Sequence, residues 1–320
     1  MGIGRSQINN LFFCERSEGR VVSVVIPTYN ASRYLDGQLR ALRAQTVKDL
    51  EILVIDSSSS DQTLDIAKQH AIQTVIIPKE EFDHGGTRTL AGKTQSVGDI
   101  LVYLTQDALP CDDRAIETLI QPLLAERICG AAFGRQIPYQ DATPFAQHLR
   151  LFNYPPQSYI RTYADRTALG IRAAFCSNSF AAYRRDALEE VGWFAENLLL
   201  AEDIHVCARM LMKGYKLRYV AEAVVHHSHN YTVTQEFKRY FDLGVFFEKE
   251  RWLLGEFGRP EGEGIKFVRS EFSYLRSHGF LHLLPISLMR TAAKLIGYRL
   301  GHYYRHLPRT VLRRVSMHTS

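Results

Sequence analysis

The sequence predicts an α/β protein built on an open, mainly parallel sheet, and three observations carry that expectation. Short apolar runs alternate with helical patterns through the first hundred residues, the order produced by βαβ units. The first run, residues 21–26, is apolar and ends at Pro27, as a strand buried on both faces does. The chain has 320 residues, 46% of them hydrophobic and 23% charged, which suits one large α/β domain or a domain with an appendage.

The elements follow in order. After strand 21–26, Ser32 is read as the N-cap of a helix with Leu35, Leu39 and Leu42 at spacings of four and three. Residues 50–55 form a second strand, followed by the loop Asp56-Ser57-Ser58-Ser59-Ser60-Asp61. Asp61 can cap a helix carrying Leu64, Ala67 and Ala71. Residues 74–77 and 100–104 are the next strands. The stretch 130–230 is less regular, with strands at 181–183 and 216–225 and a helix at 202–212. Beyond Tyr231 the pattern is mostly helical: Phe237, Phe241 and Val245 share one stripe, and Met289, Ala293, Ile296, Leu300 and Tyr303 share another. Ligands of such sheets bind beyond the carboxyl ends of the strands, so 27–30, 56–61 and 105–110 are the loops to watch.

Charge is unevenly spread. The net charge is +5, yet the last 49 residues contain eight Lys or Arg and no Asp or Glu. A basic tail on a near-neutral body is expected to meet something anionic. No uncharged apolar run reaches the ~18 residues of a membrane-spanning helix. Five cysteines, an odd number without a CxxC, fit a reducing cytosol better than a disulfide scaffold.

Several motifs are excluded. Ala91-Gly92-Lys93-Thr94 resembles the end of a phosphate-binding loop, but Thr87 stands where its first Gly is required. The turn after the first strand holds no glycine, against a dinucleotide-binding G-x-G-x-x-G. No G-x-S-x-G nucleophile elbow occurs. What remains is acidic: Asp56 after the second strand, Asp107 after strand 100–104, and Glu202-Asp203 opening a helix. Taken singly, these read equally well as turn or cap residues.

In their order, however, Val24-Val25-Ile26-Pro27-Thr28-Tyr29-Asn30, Leu53-Val54-Ile55-Asp56, Leu104-Thr105-Gln106-Asp107-Ala108 and Gly192-Trp193-Phe194 with Ala201-Glu202-Asp203 resemble the family 2 inverting glycosyltransferases over residues 21–230. That resemblance implies a GT-A fold, a Rossmann-like mixed, mainly parallel sheet flanked by helices. Phe82-Asp83-His84-Gly85-Gly86-Thr87-Arg88 and His227-Ser228-His229-Asn230-Tyr231-Thr232 are similar to the bacterial rhamnosyltransferase branch. The resemblance implies three regions: a lead segment 1–20, the transferase domain 21–230 and a basic helical extension 231–320.

It also implies roles. Pro27, Thr28, Tyr29, Asn30, Asp56, Arg88, Gln106 and Asp107 would contact a nucleotide-sugar donor, expected to be dTDP-L-rhamnose. Asp107 and His227, or His229 in its place, would hold a divalent metal, Mg²⁺ or Mn²⁺, against the diphosphate. Thr105 replaces the first acid of the usual D-x-D. Asp203 would be the catalytic base, because inversion needs one carboxylate and no covalent intermediate. Glu202 and Trp193 lie on the acceptor side, with core packing the competing reading for Trp193.

The expected acceptor is a growing surface glycan or lipid-linked saccharide, and no nucleic acid is expected as a partner. The tail would dock the enzyme on an anionic membrane, on the inner face of the plasma membrane. The rival readings are a transferase of another UDP- or dTDP-sugar and a non-catalytic sugar-binding protein.

Overall fold

Strands β1 (Val22–Thr28), β2 (Leu50–Asp56), β3 (Gln73–Ile76) and β4 (Ile100–Leu104) form the parallel part of one sheet, in the order β3-β2-β1-β4. The structure is a computed structural model that describes residues 21–259 and 262–317, so the expected lead segment 1–20 lies outside the described residues. The βαβ reading holds for this half: α1 (Leu35–Arg43) follows β1 and α2 (Thr63–Gln69) follows β2. Ser32 is not the N-cap of α1. It lies in the turn before Tyr34, and its backbone N–H donates to Asp61 at 3.0 Å. Asp61 also accepts from the Thr63 N–H at the start of α2, so one carboxylate serves both loops.

The second half of the sheet is mixed. After α3 (His84–Leu90) and β4 come the two-residue strand β5 (Leu109–Pro110), α4 (Ala115–Ala125) and β6 (Cys129–Ile137). Then follow α5 (Pro144–Asn153), β7 (Tyr159–Arg161), α6 (Arg166–Leu169), β8 (Phe180–Arg184), α7 (Arg185–Glu190), α8 (Glu202–Met212) and β9 (Lys216–His226). Strand β8 runs antiparallel between β4 and β6. Strand β9 pairs parallel to β6 and antiparallel to β5 and β7. Alternation along β1 sends Val24 and Ile26 to one face with Leu35, Leu39 and Ile116, and Val25 to the other with Tyr103, Tyr183 and Phe246.

Helices α9 (Val233–Lys249), α10 (Arg251–Phe257), α11 (Glu263–Ser277), α12 (Leu284–His302) and α13 (Arg309–Val315) complete the chain. The expected boundary at 230 is not a break in packing. Phe246, Leu253 and Phe257 from α9 and α10 share the core of Tyr103 and Tyr183.

Helix α12 shows how the tail packs on the body. Its inward stripe is Ser287, Arg290, Lys294, Gly297 and Gly301, lying along α9. A Cβ at Gly301 would collide with the Phe241 carbonyl, and one at Gly297 with the Phe237 carbonyl, so these glycines let the two backbones meet. Arg290 and Lys294 are not surface charges: both reach Glu236 of α9, at 2.9 and 3.4 Å. The lack of acids in the tail is partly answered from α9, where Glu236 meets those two cations and Glu248 meets His302 at 3.5 Å. Met289, Ile296 and Tyr303 of the 289–303 stripe face outward, away from α9.

Candidate active site

The ends of β1, β2 and β4 face a common crevice where the strand order reverses around β1. At the ends of β1 and β2, Thr28 and Asp56 are register partners, and the Thr28 hydroxyl donates to the Asp56 carboxylate at 2.7 Å. Asp56 also accepts from the Ser59 N–H at 2.7 Å and the Ser59 hydroxyl at 2.6 Å. It is fully buried, so it holds the 56–61 loop from beneath while Tyr29 and Asn30 stand exposed above it. The Asn30 N–H donates to Ser59, and the Asn30 side-chain oxygen accepts from the Ser60 N–H. Lys79 donates to the Tyr29 hydroxyl at 2.8 Å, a contact absent from the sequence reading. Pro27, in β1 opposite Ile55, is half-buried.

The loop after β4 is fixed by groups that no local pattern announces. Gln38 of α1, itself buried, donates from Nε2 to the carbonyls of Thr105 and Ala108, both at 2.7 Å. The Tyr139 hydroxyl donates to the Asp107 carbonyl at 3.0 Å. Gln106 brackets Tyr29 by accepting from its N–H at 2.8 Å and donating to its carbonyl at 3.2 Å, so the Asp107 loop is tied to the loop after β1.

Asp107 meets two imidazoles from the segment that follows β9. His227 Nε2 lies 3.4 Å from Asp107 Oδ1, and His229 Nδ1 lies 3.6 Å from Oδ2. One ligand atom from each of the three falls within 4.8 Å of the others. His226 is turned the other way and stacks on Tyr139, as alternation requires.

The protonation states suit metal binding. Burial opposes the Asp107 charge, but the contact with His227 and the nearby His229 hold its carboxyl well below the ordinary range. Burial pushes His227 below its usual value, and burial with His227 alongside brings His229 down to about 3. An ionised carboxylate beside two neutral imidazoles is a metal-ligand set.

The buried Gln136 of β6 fixes which nitrogen of His227 faces Asp107. Its Oε1 accepts from Arg150 Nη1 at 3.0 Å and lies 2.7 Å from His227 Nδ1. Its Nε2 donates to Ser177 at 3.0 Å. A flipped amide would set N–H groups against the Arg150 donors. The oxygen therefore faces the ring, His227 Nδ1 carries the proton, and the Nε2 lone pair points to Asp107. The three residues thus fit a divalent cation.

On the far wall, Glu202 and Asp203 open α8 after Ala201, whose φ of 64° lies in the left-handed region. Asn178, before β8, clamps both acids. Its side-chain amide donates to Glu202 at 3.0 Å, and its backbone N–H donates to Asp203 at 3.1 Å. The two carboxyls are driven apart. Burial works against the Glu202 charge, yet Arg88, 3.3 Å away, together with His84 and Asn178 holds its pKa below the usual value. Burial, and then the Glu202 charge, pushes Asp203 up to about 7.

Arg88, expected at the donor, is buried with its guanidinium turned to Glu202 and the His84 carbonyl. The Phe82–Arg88 motif makes a clasp: Asp83 accepts from the Asn197 N–H at 2.9 Å, and a Cβ on Gly85 would collide with the Ala195 carbonyl. Trp193 is a core residue, 5% exposed, with its ring between Gly92 and Arg185. That burial favours the competing core-packing reading of Trp193.

Comparison with known proteins gives a consistent set of similarities. The family model of Glycosyl transferase family 2 matches residues 23–192, and that of Glycosyl transferase family group 2 matches residues 123–309. The O-antigen chain rhamnosyltransferase RfbN of Salmonella typhimurium is 43% identical over 300 residues, covering 93% of this chain and 95% of its own. The O-antigen chain rhamnosyltransferase WbaN of Salmonella anatum is 42% identical over 299 residues, covering 93% of this chain and 94% of its own. Among solved structures, the mannosyltransferase PcManGT from Pyrobaculum calidifontis, in complex with GDP-Man and Mn²⁺, aligns with 92% of this chain and 84% of its own. Its TM-score is 0.56 at 19% identity, a likeness of fold alone.

Proposed function

The chain belongs to Glycosyl transferase family 2 and is a glycosyltransferase, and from that premise we propose that it transfers L-rhamnose from dTDP-L-rhamnose, with inversion, to a hydroxyl of a growing bacterial surface glycan. The observation that carries the sugar is the 43% identity, over 93% of the chain, to a protein named as an O-antigen rhamnosyltransferase.

In this reading the nucleotide lies over Pro27, Thr28, Tyr29, Asn30 and Gln106, with Asp56 shaping the loop beneath it. The acceptor enters beside Glu202. Its hydroxyl oxygen attacks the anomeric carbon from the side opposite the diphosphate, its proton passes to Asp203, and the bond from the anomeric carbon to the diphosphate oxygen breaks. A base with a pKa near 7 is well matched to that transfer at neutral pH. Glu202 stays ionised against Arg88, which leaves Asp203 as the carboxyl that exchanges a proton.

Asp107, His227 and His229 would hold one divalent cation, which supplies positive charge against the departing diphosphate. Two imidazoles with one carboxylate favour Mn²⁺ over Mg²⁺, whose preference is for oxygen.

The test is turnover of a panel of dTDP-, UDP- and GDP-sugars by the purified chain, with and without EDTA, and the product anomer read by NMR. The proposal expects dTDP-L-rhamnose to be the preferred donor, activity to be lost in EDTA, and the anomeric configuration to be inverted. Preference for another donor would move the protein to a different sugar within the same family.

A further inference from the structure

Helix α12 is amphipathic in the reverse sense for a helix of a water-soluble surface. Its charges Arg290 and Lys294 are turned inward to Glu236, while Leu288, Met289, Leu295, Ile296 and Tyr303 stand 51–67% exposed on the outer side. The neighbouring helix α11 adds Ile265 at 61% and Phe272 at 46%. Isolated exposed apolar residues are ordinary, but a run of them along one helix is a contact surface. The exposed charges nearby are of one sign. Arg276 ends α11, Arg299 lies between Ile296 and Tyr303, Arg305 follows α12, and residues 272–320 contain no acid.

We propose that this α11–α12 face lies in the interface of an anionic lipid leaflet. The apolar residues enter the acyl boundary, and Arg276, Arg299 and Arg305 meet the lipid phosphates. An apolar face with basic flanks is the chemistry of interfacial helices. No helix among the described residues is long and apolar enough to cross a membrane, so the contact is peripheral. Charge decides against a second copy of the chain as the occupant. A two-fold interface pairs a patch with itself, which would set these arginines against one another with no carboxylate from 272–320 between them. The proposal does not depend on the donor sugar. Arg290 and Lys294 hold the helix to the body, so only the outer side is offered to lipid.

The experiment is co-sedimentation of the full chain with vesicles of phosphatidylethanolamine containing phosphatidylglycerol, against vesicles of phosphatidylcholine alone. Wild type is expected on the anionic vesicles and released by high salt. Leu288→Gln/Leu295→Gln/Ile296→Gln should keep the wild-type Tm and weaken the partition by about tenfold or more. Arg276→Gln/Arg299→Gln/Arg305→Gln should lose the preference for phosphatidylglycerol. In Ile296→Trp, the added fluorescence should shift to the blue on anionic vesicles as the ring leaves water. Transfer to a soluble acceptor, assayed on the same variants, should be unchanged, which separates this idea from the proposed chemistry. Equal partition of wild type and the apolar triple variant would overturn the proposal. So would a wild-type dimer that the apolar variant dissolves while neither protein binds vesicles, and the face would then be a subunit interface.

Discussion

Replacing Asp203 by Asn removes the proposed proton acceptor while keeping the shape of the side chain. Loss of a general base costs about 10²- to 10⁴-fold in rate, and donor affinity measured by calorimetry should stay close to wild type. A variant keeping more than about a tenth of the wild-type rate would move the base elsewhere. The pH dependence follows from the pKa of about 7. Below it the carboxyl is protonated, so kcat/KM should fall about tenfold per unit as pH drops beneath 7. Stability runs the other way. The folded pKa lies above the unfolded one, so the folded state binds the extra proton and loses stability as pH rises towards 7. Asp203→Asn should therefore raise Tm more at pH 8 than at pH 5. Gln136 offers a second single-residue test. Gln136→Leu frees the His227 tautomer, and Mn²⁺ binding followed by electron paramagnetic resonance should weaken by about 10- to 100-fold. Unchanged binding would show that Gln136 does not orient the ring.

Among elements, α9 and α12 form the contact on which the helical layer depends. Arg290→Met would leave Glu236 buried with only Lys294 at 3.4 Å, and losing one partner of a buried pair costs about 3–5 kcal/mol. Gly301→Val would force the two backbones apart. Chemical denaturation should show both variants clearly destabilised. A change of less than about 1 kcal/mol in either would mean that the contact is looser than described. The same pair shows what sequence periodicity can and cannot tell. The residues 289, 293, 296, 300 and 303 share a stripe, but so do 287, 290, 294, 297 and 301. Spacing groups residues by side without saying which side looks inward. The two glycines four apart, beside a serine and two cations, were the signal for which side packs on α9. Elements with strong local patterns, such as β1, β2, β4 and α8, were readable because their own residues bury them. Asp107, Asp203 and His227 could be singled out as candidates because they end or begin such elements in a familiar order, and the fold brings Asp107 and His227 together. Gln38, Gln136, Tyr139 and Asn178 could not be singled out. Each is a polar residue whose partners come from elsewhere in the chain, so its role exists only once the elements cross.

For the molecule as a whole, the expected separation of a transferase domain from an extension at 230 has a direct test. A chain ending at 230 would leave the core beside Tyr103 and Tyr183 without Phe246, Leu253 and Phe257. It should be insoluble, or expanded and rapidly digested in limited proteolysis, and a stable, protected fragment would restore the two-part view. Strand β9 carries a further consequence. It is the last strand among the described residues, yet it sits inside the sheet, pairing with β5, β6 and β7. The strands β1, β2 and β3 find their neighbours nearby in the chain, whereas β6 waits for residues 216–226 before its outer edge is covered. Long-range pairing of this kind is slow, and an open edge is prone to aggregation. During synthesis, then, the half that carries the loops after β1 and β2 can assemble early. The half that brings His227 and His229 to Asp107 has to wait until the ribosome has released the last strand.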